Sequence, residues 1–370
     1  MQQFSVSPKI TMFKTCGEFI QDYDINENDL VLTIAPIWTA YFQNVHAGTV
    51  IDMEKYGRGE PTDEMIEAIG NDIVKPYRRV IAIGGGTVLD CAKLFALKQT
   101  LPVTDLFYKK IPAVKEKPLL LIPTTCGTGS EMTNISILEF PQRHTKFGLA
   151  ADALYADEAV LIPELLTQLP FKVFAASSID ALVHSVESYL SPKATPLSQM
   201  FSIEAMKLIL NGYKTIAAEG RQIRNSLLSD FCLASTMAGI AFGNAGCAAV
   251  HAMSYPLGAR FHIPHGESNY AMFTGVFHKY MEINPDGAIR HLNETIAEVL
   301  ECDSSAVYDE IENLLNTAIL QKKSLHEYGM TQPMIAEFTD SVIANQQRLM
   351  SNNYVFLDRE ALIDIYTKLL

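Results

Sequence analysis

The stretch VIAIGGGTVLDCAKLFAL, beginning at Val80, constrains the fold more than any other part of the 370 residues. An apolar run of strand length is followed by Gly84, Gly85 and Gly86, and then by apolar residues at helical spacing. Glycines permit a tight turn and a close backbone approach, while the free amides and dipole at a helix start favour negative charge. The loop therefore reads as a diphosphate cradle. It departs from the G-x-G-x-x-G fingerprint, and it is not a Walker loop because no Gly-Lys-Ser/Thr follows. Taken by itself, it could equally be a turn that only joins strand to helix.

A second loop, LLLIPTTCGTGSEMTN, closes the next apolar run. Thr124, Thr125, Thr128 and Ser130 supply hydroxyls, and Gly127 and Gly129 allow backbone approach. Two such loops at the carboxyl ends of strands make one crevice. DLVLTI, TVID, RVIAIGGG and PLLLIP are the predicted strands, and their near-continuous apolar character fits a parallel sheet covered on both faces. PTDEMIEAIGNDIV reads as a helix starting at Pro61 and Thr62, with Met65, Ile66, Ile69 and Ile73 on its apolar side. Beyond LIPELLTQLP the pattern changes to long amphipathic helices such as PLSQMFSIEAMKLILNGYKTIA and SDFCLASTMAGIAF. The expected organisation is an α/β dinucleotide-binding domain over 1–162 and an all-α metal- and substrate-binding domain over 163–370, meeting at a cleft.

Within the second part, Asp180 and His184 lie four apart in SSIDALVHSVESYL, which places both on one helix face. His251 lies in CAAVHAMSYPLGA, a segment that Pro256 is expected to break, and His265 follows in the turn IPHGE. One carboxylate and three imidazoles suit Fe²⁺ or Zn²⁺. The competing reading puts Asp180 near a helix start, just after Ser177 and Ser178, where an acidic residue stabilises the macrodipole.

A formal charge of -13 argues against nucleic acid or anionic membranes as partners. The six cysteines form no CxxC pair, so reduced thiols and a cytoplasmic location are expected. The start MQQFSVSPKITMFK lacks the character of a signal peptide, and no later apolar run is predicted to reach membrane-spanning length. A mean hydropathy of +0.10 points to extensive burial, partly in subunit contacts, so a homo-oligomer is expected.

GGGTVLDCAK, PTTCGTGSE, DALVHSVESY and HAMSYPLGARFHIPHG, in this order, resemble the iron-containing alcohol dehydrogenases, whose fold is dehydroquinate synthase-like. Within that family EKYGRGEPTDEMI, RHTKFG and GIAFGNAG look most similar to the 4-hydroxybutyrate dehydrogenases. The resemblance implies NAD as cofactor, with NADP open, because Ile34 or Ala35 stands where many members carry an aspartate after the first strand. It implies a metal on Asp180, His184, His251 and His265 that polarises an alcohol or aldehyde oxygen of a small-molecule substrate. It further implies that Gly85, Gly86 and Thr87 contact the diphosphate, that Thr124, Thr125 and Thr128 line the crevice, and that Lys146 reaches the nicotinamide ribose. Asp90 and Lys93 are expected to support the helix start. Tyr255 replaces a histidine common in the family and is the expected hydrogen-bond donor in its place. His262 is expected to be a bystander. Arg143, Lys146 and Arg260 are the cations considered for a substrate carboxylate. Other alcohol, diol and glycerol dehydrogenases, and a cyclising lyase like dehydroquinate synthase, are the alternatives.

Overall fold

The computed structural model describes residues 3–57, 59–143 and 145–370, and for residues 143 and 145 only the main chain. It contains two compact units, one spanning Val6–Leu169 and the other Pro170–Leu370 together with the start of the chain. Ser5 is tied to the second unit through its backbone, which exchanges hydrogen bonds with the Asn244 side chain at 2.9 and 3.0 Å.

In the first unit the described strands are β1 (Lys9–Met12), β2 (Asp29–Thr33), β3 (Thr49–Asp52), β4 (Arg79–Gly84), β5 (Leu119–Pro123), β6 (Ile135–Phe140), β7 (Thr145–Ala150) and β8 (Glu158–Leu161). Six of them form a sheet in the order β1-β8-β5-β4-β2-β3, parallel throughout. Every residue of β2 and β5 is buried, as is β4 after Arg79, so the unbroken apolar runs reflect strands covered on both faces. The four predicted strands are all present. β1, β8 and the antiparallel β6–β7 hairpin escaped the sequence reading: β1 is largely exposed and carries no apolar run, β8 is only four residues long, and β6 alternates buried and half-buried residues while β7 is mostly exposed from Lys146 on. Thr62 caps the helix Asp63–Asp72 by accepting from the Met65 amide, and Met65, Ile66 and Ile69 are buried against the sheet core.

The second unit is helical. Phe171–Leu190, Pro196–Glu219 and Leu228–Ala245 pack against one another around Phe174, Tyr213 and Phe231, each at most 1% exposed. Arg221–Ala245 corrects one expectation, because by length and composition it is apolar enough to cross a membrane. Its apolar residues, among them Leu228, Phe231, Cys232, Ala238 and Ile240, are buried in the helical core. All six cysteines are free, and five are buried.

Pro256 does not break its segment. The helix Ala249–Phe261 runs through it and ends at His262, whose φ of 52° is left-handed and whose amide reaches back to the Gly258 carbonyl. His265 is accordingly the first residue of the next helix, His265–Ile283, and does not sit in a turn.

Candidate functional site

The loops after β4 and β5 lie side by side because the two strands are paired neighbours, with Gly84 opposite Pro123. The Thr124 amide donates to the Gly84 carbonyl at 3.0 Å. None of the three glycines has a positive φ; Gly85, the helix cap, is extended at φ −77°, ψ −178°. Their role is close approach, not turning. A Cβ on Gly84 would lie 2.4 Å from Val88 Cγ2, and one on Gly86 would lie 2.8 Å from Thr128 Cγ2. Gly85, Gly86 and Thr87 stand ahead of the first intrahelical bonds, in which Val88 and Leu89 donate back to the Gly85 carbonyl. That is the local geometry in which main-chain amides receive an anion.

The side chains around this cradle differ from their predicted roles. Thr87 donates its hydroxyl to the Gly59 carbonyl at 2.7 Å. Thr124 is buried, and Thr125 and Thr128 are half-buried against Gly85 and Gly86. Lys146 forms an ion pair with Glu60, so in this conformation its ammonium is directed to a carboxylate. Asp90 and Lys93 do more than support a helix start. Lys93 is fully buried, and its ammonium donates to Asp90 Oδ1 (3.0 Å), Ser130 Oγ (2.7 Å), Thr133 Oγ1 (3.2 Å) and the Ile135 carbonyl (2.6 Å). Asp90 Oδ2 accepts the Ile137 amide at 3.1 Å. This network fastens the end of the threonine loop and β6 to the helix Gly86–Phe95, which keeps the two loops in register.

The second cluster is built from three helices of the other unit. Asp180 and His184 project from one face of Phe171–Leu190. Asp180 is the tenth residue of that helix and 3% exposed, which rules out the helix-start reading. His251 comes from Ala249–Phe261 and His265 from the first turn of His265–Ile283. Gly266 makes that last approach possible: a Cβ there would sit 1.9 Å from the Ala176 carbonyl oxygen, so only glycine lets the two backbones meet one turn from Asp180.

Asp180 Oδ1 lies 3.9 Å from His184 Nε2 and 3.7 Å from both His251 Nε2 and His265 Nε2. All four donor atoms fall within 4.8 Å of one another. Ligands bonded at about 2.1 Å to a tetrahedral ion stand about 3.4 Å apart, so the carboxylate–imidazole separations need to close by only about 0.3–0.5 Å, and the wider donor pairs by no more than about 1.4 Å, for the cage to take Zn²⁺ or Fe²⁺. The residues fit a divalent metal. The His265 side chain is 35% exposed and the other three at most 6%, so the cage is open on the His265 side.

The surroundings prepare the donors. Glu187, buried one turn beyond His184, accepts the amides of Ala248 (3.0 Å) and Val250 (2.6 Å) and lies 2.6 Å from His251 Nδ1. A carboxylate already accepting two amides makes Nδ1 the protonated nitrogen and leaves the Nε2 lone pair facing Asp180. Burial alone would raise the Asp180 carboxyl, yet His184, His265 and His251 hold it well below the usual carboxylate range. Burial likewise opposes protonation of His251, but Cys247, Asp180 and Glu187 raise it well above an ordinary imidazole. The Cys247 thiol, which burial would push up, is drawn down to about 7 by His251 and His184. Phe242 stacks on His184 with ring centroids 4.2 Å apart, which fixes that ring's orientation.

Tyr255 is half-buried, with its ring centroid 5.9 Å from that of His265. His262 is exposed and ends its helix. Arg260 is exposed, and the side chain of Arg143 lies outside the described residues. Glu187, Ser254 and Asn269 were missed, although each follows the spacing that revealed His184: Glu187 three after His184, Ser254 three after His251, Asn269 four after His265.

The model of the iron-containing alcohol dehydrogenases matches residues 12–163, and that of the C-terminal part of the Fe-containing alcohol dehydrogenase family matches residues 174–370. The chain belongs to the iron-containing alcohol dehydrogenase family. It is 47% identical over 371 aligned residues to the 4-hydroxybutyrate dehydrogenase of Clostridium kluyveri, covering 100% of each chain. It is 32% identical over 307 residues to the sulfoacetaldehyde reductase of Bilophila wadsworthia, covering 79% of this chain and 75% of that one. Among solved structures, the sulfoacetaldehyde reductase of Bifidobacterium kashiwanohense in complex with NAD+ has the same fold, with a TM-score of 0.87 at 22% identity over 100% of this chain and 98% of that one.

Proposed function

We propose that the chain is a metal-dependent, nicotinamide-dependent dehydrogenase that interconverts 4-hydroxybutyrate and succinate semialdehyde. The convergence of Asp180, His184, His251 and His265 is the observation that carries the reading. The substrate assignment rests on the end-to-end similarity to the Clostridium kluyveri enzyme. A divalent cation in the cage supplies a Lewis acid for an alcohol or carbonyl oxygen, and the nicotinamide ring supplies or accepts the hydride.

The rest falls to the protein's own groups. The Asp180 carboxylate and three neutral imidazoles hold the ion, and Glu187 keeps His251 in the tautomer that presents Nε2. On the open side Tyr255, whose ring lies 5.9 Å from that of His265, would donate a hydrogen bond to substrate where a histidine relay is absent. Gly85, Gly86 and Thr87 offer amides to the diphosphate, and Thr125 and Thr128 line the cradle. Thr124, buried, ties the threonine loop to the end of β4 through its amide. Lys146 would have to leave Glu60 to reach a ribose.

Purified protein loaded with Fe²⁺ or Zn²⁺ should reduce NAD+ with 4-hydroxybutyrate far faster than with 1-butanol. Equal rates would overturn the carboxylate-bearing substrate, and no net cofactor turnover with any alcohol would overturn the dehydrogenase.

A further inference from the structure

Asn269 is fully buried, and its amide nitrogen lies among the donor atoms of the cage. Asn269 Nδ2 is 2.7 Å from Asp180 Oδ1, 3.1 Å from His251 Nε2 and 3.3 Å from His265 Nε2. An amide can present either its NH₂ or its oxygen to such a cluster, and here the choice is fixed from two sides. Asp180 is an acceptor, so it requires a donor. On the far side the Ser254 hydroxyl donates to Asn269 Oδ1 at 2.5 Å, which holds the oxygen away from the cage. Ser254 is 1% exposed and shares its helix with His251, while Asn269 shares its helix with His265.

We propose that Asn269, locked by Ser254, is a positioning residue for the metal centre. One N–H of its NH₂ group is given to Asp180 Oδ1 and holds that carboxylate facing the imidazoles, before an ion arrives and after their lone pairs are committed to it. Without it the buried Asp180 carboxylate loses a direct hydrogen bond at the oxygen that faces the three imidazoles, and the cost of holding it there would be taken from metal affinity. Cage-supporting hydrogen bonds of this kind are typically worth about 10–100-fold in metal affinity. The inference rests on the metal reading above.

The test is a competition titration of metal-stripped full-length protein with Co²⁺, read from its visible ligand-field bands, with Zn²⁺ as displacing ion. Asn269→Leu should weaken Co²⁺ about 10–100-fold and change the band shape, with far-UV circular dichroism unchanged. Ser254→Ala should weaken it less, because the amide is then free to turn. The double variant should bind no more weakly than Asn269→Leu alone, since Ser254 acts through Asn269. Affinities within twofold of the parent for Asn269→Leu, or for Ser254→Ala where Asn269→Leu does not fold, would overturn the inference. A parent protein that takes up no Co²⁺ would instead overturn the metal reading itself.

Discussion

In the N-terminal unit the candidate cofactor cradle is made chiefly of main chain: glycines that admit close neighbours, and amides ahead of a helix's first bonds. In the helical unit the candidate metal cage is made of side chains, with one carboxylate and three imidazoles drawn from three helices and supported by Glu187, Ser254 and Asn269. The cradle depends on what is absent, namely Cβ atoms, whereas the cage depends on buried polar groups that each need a partner. Buried groups of that kind are costly to leave unmatched, so the two sites should fail in different ways.

The largest effect is expected at the cage. Asp180→Ala should abolish stoichiometric metal, measured by elemental analysis, and lower kcat by at least about a thousandfold, since Lewis-acid stabilisation is worth several kcal/mol. Retained metal and activity would break the contrast outright. Next comes Lys93→Met, which leaves Asp90 without its buried cation. It should destabilise the N-terminal unit by about 3 kcal/mol in denaturant unfolding while metal content stays stoichiometric. Glu187→Gln puts a donor where three donors converge, so metal affinity should fall about 10–100-fold with cofactor binding unaltered. Gly86→Ala forces a Cβ to within 2.8 Å of Thr128 Cγ2 and should cost about 1–2 kcal/mol, read as a raised KM for cofactor at unchanged metal content.

The smallest effect concerns acid. Burial pushes the Glu312 carboxyl up, but Lys322 and Thr274 outweigh it and hold that carboxyl below its usual value. A lowered carboxylate stabilises the fold above about pH 4.3 and loses that contribution as the pH falls through its lowered value. Glu312→Gln should therefore flatten the acid limb of the stability curve of the helical unit. An unchanged acid limb would show that the Glu312–Lys322 pair contributes nothing there.

The sheet was legible because β2, β4 and β5 are buried on both faces and so read as unbroken apolar runs. β1 was not, since an exposed edge strand needs no apolar pattern, and its place is set by pairing with β8, about 150 residues further along. Asp180 and His184 were legible from helical spacing alone. Pro256 misled because the helix Ala249–Phe261 accommodates it, and a left-handed His262 ends the segment instead.

From sequence alone came the alternation of strand and helix, the glycine and threonine loops and the Asp180–His184 pair, which rest on patterns within a few residues, and His251 and His265 as further candidate donors. Tertiary structure decided that Asp180 is mid-helix and buried, that Gly266 lets two backbones meet at Ala176, and that Lys93 ties the threonine loop to its helix. It also decided that Glu187, Ser254 and Asn269 stand behind the donors. Those outcomes depend on distances between segments far apart in the chain, which local periodicity does not encode and only packing sets.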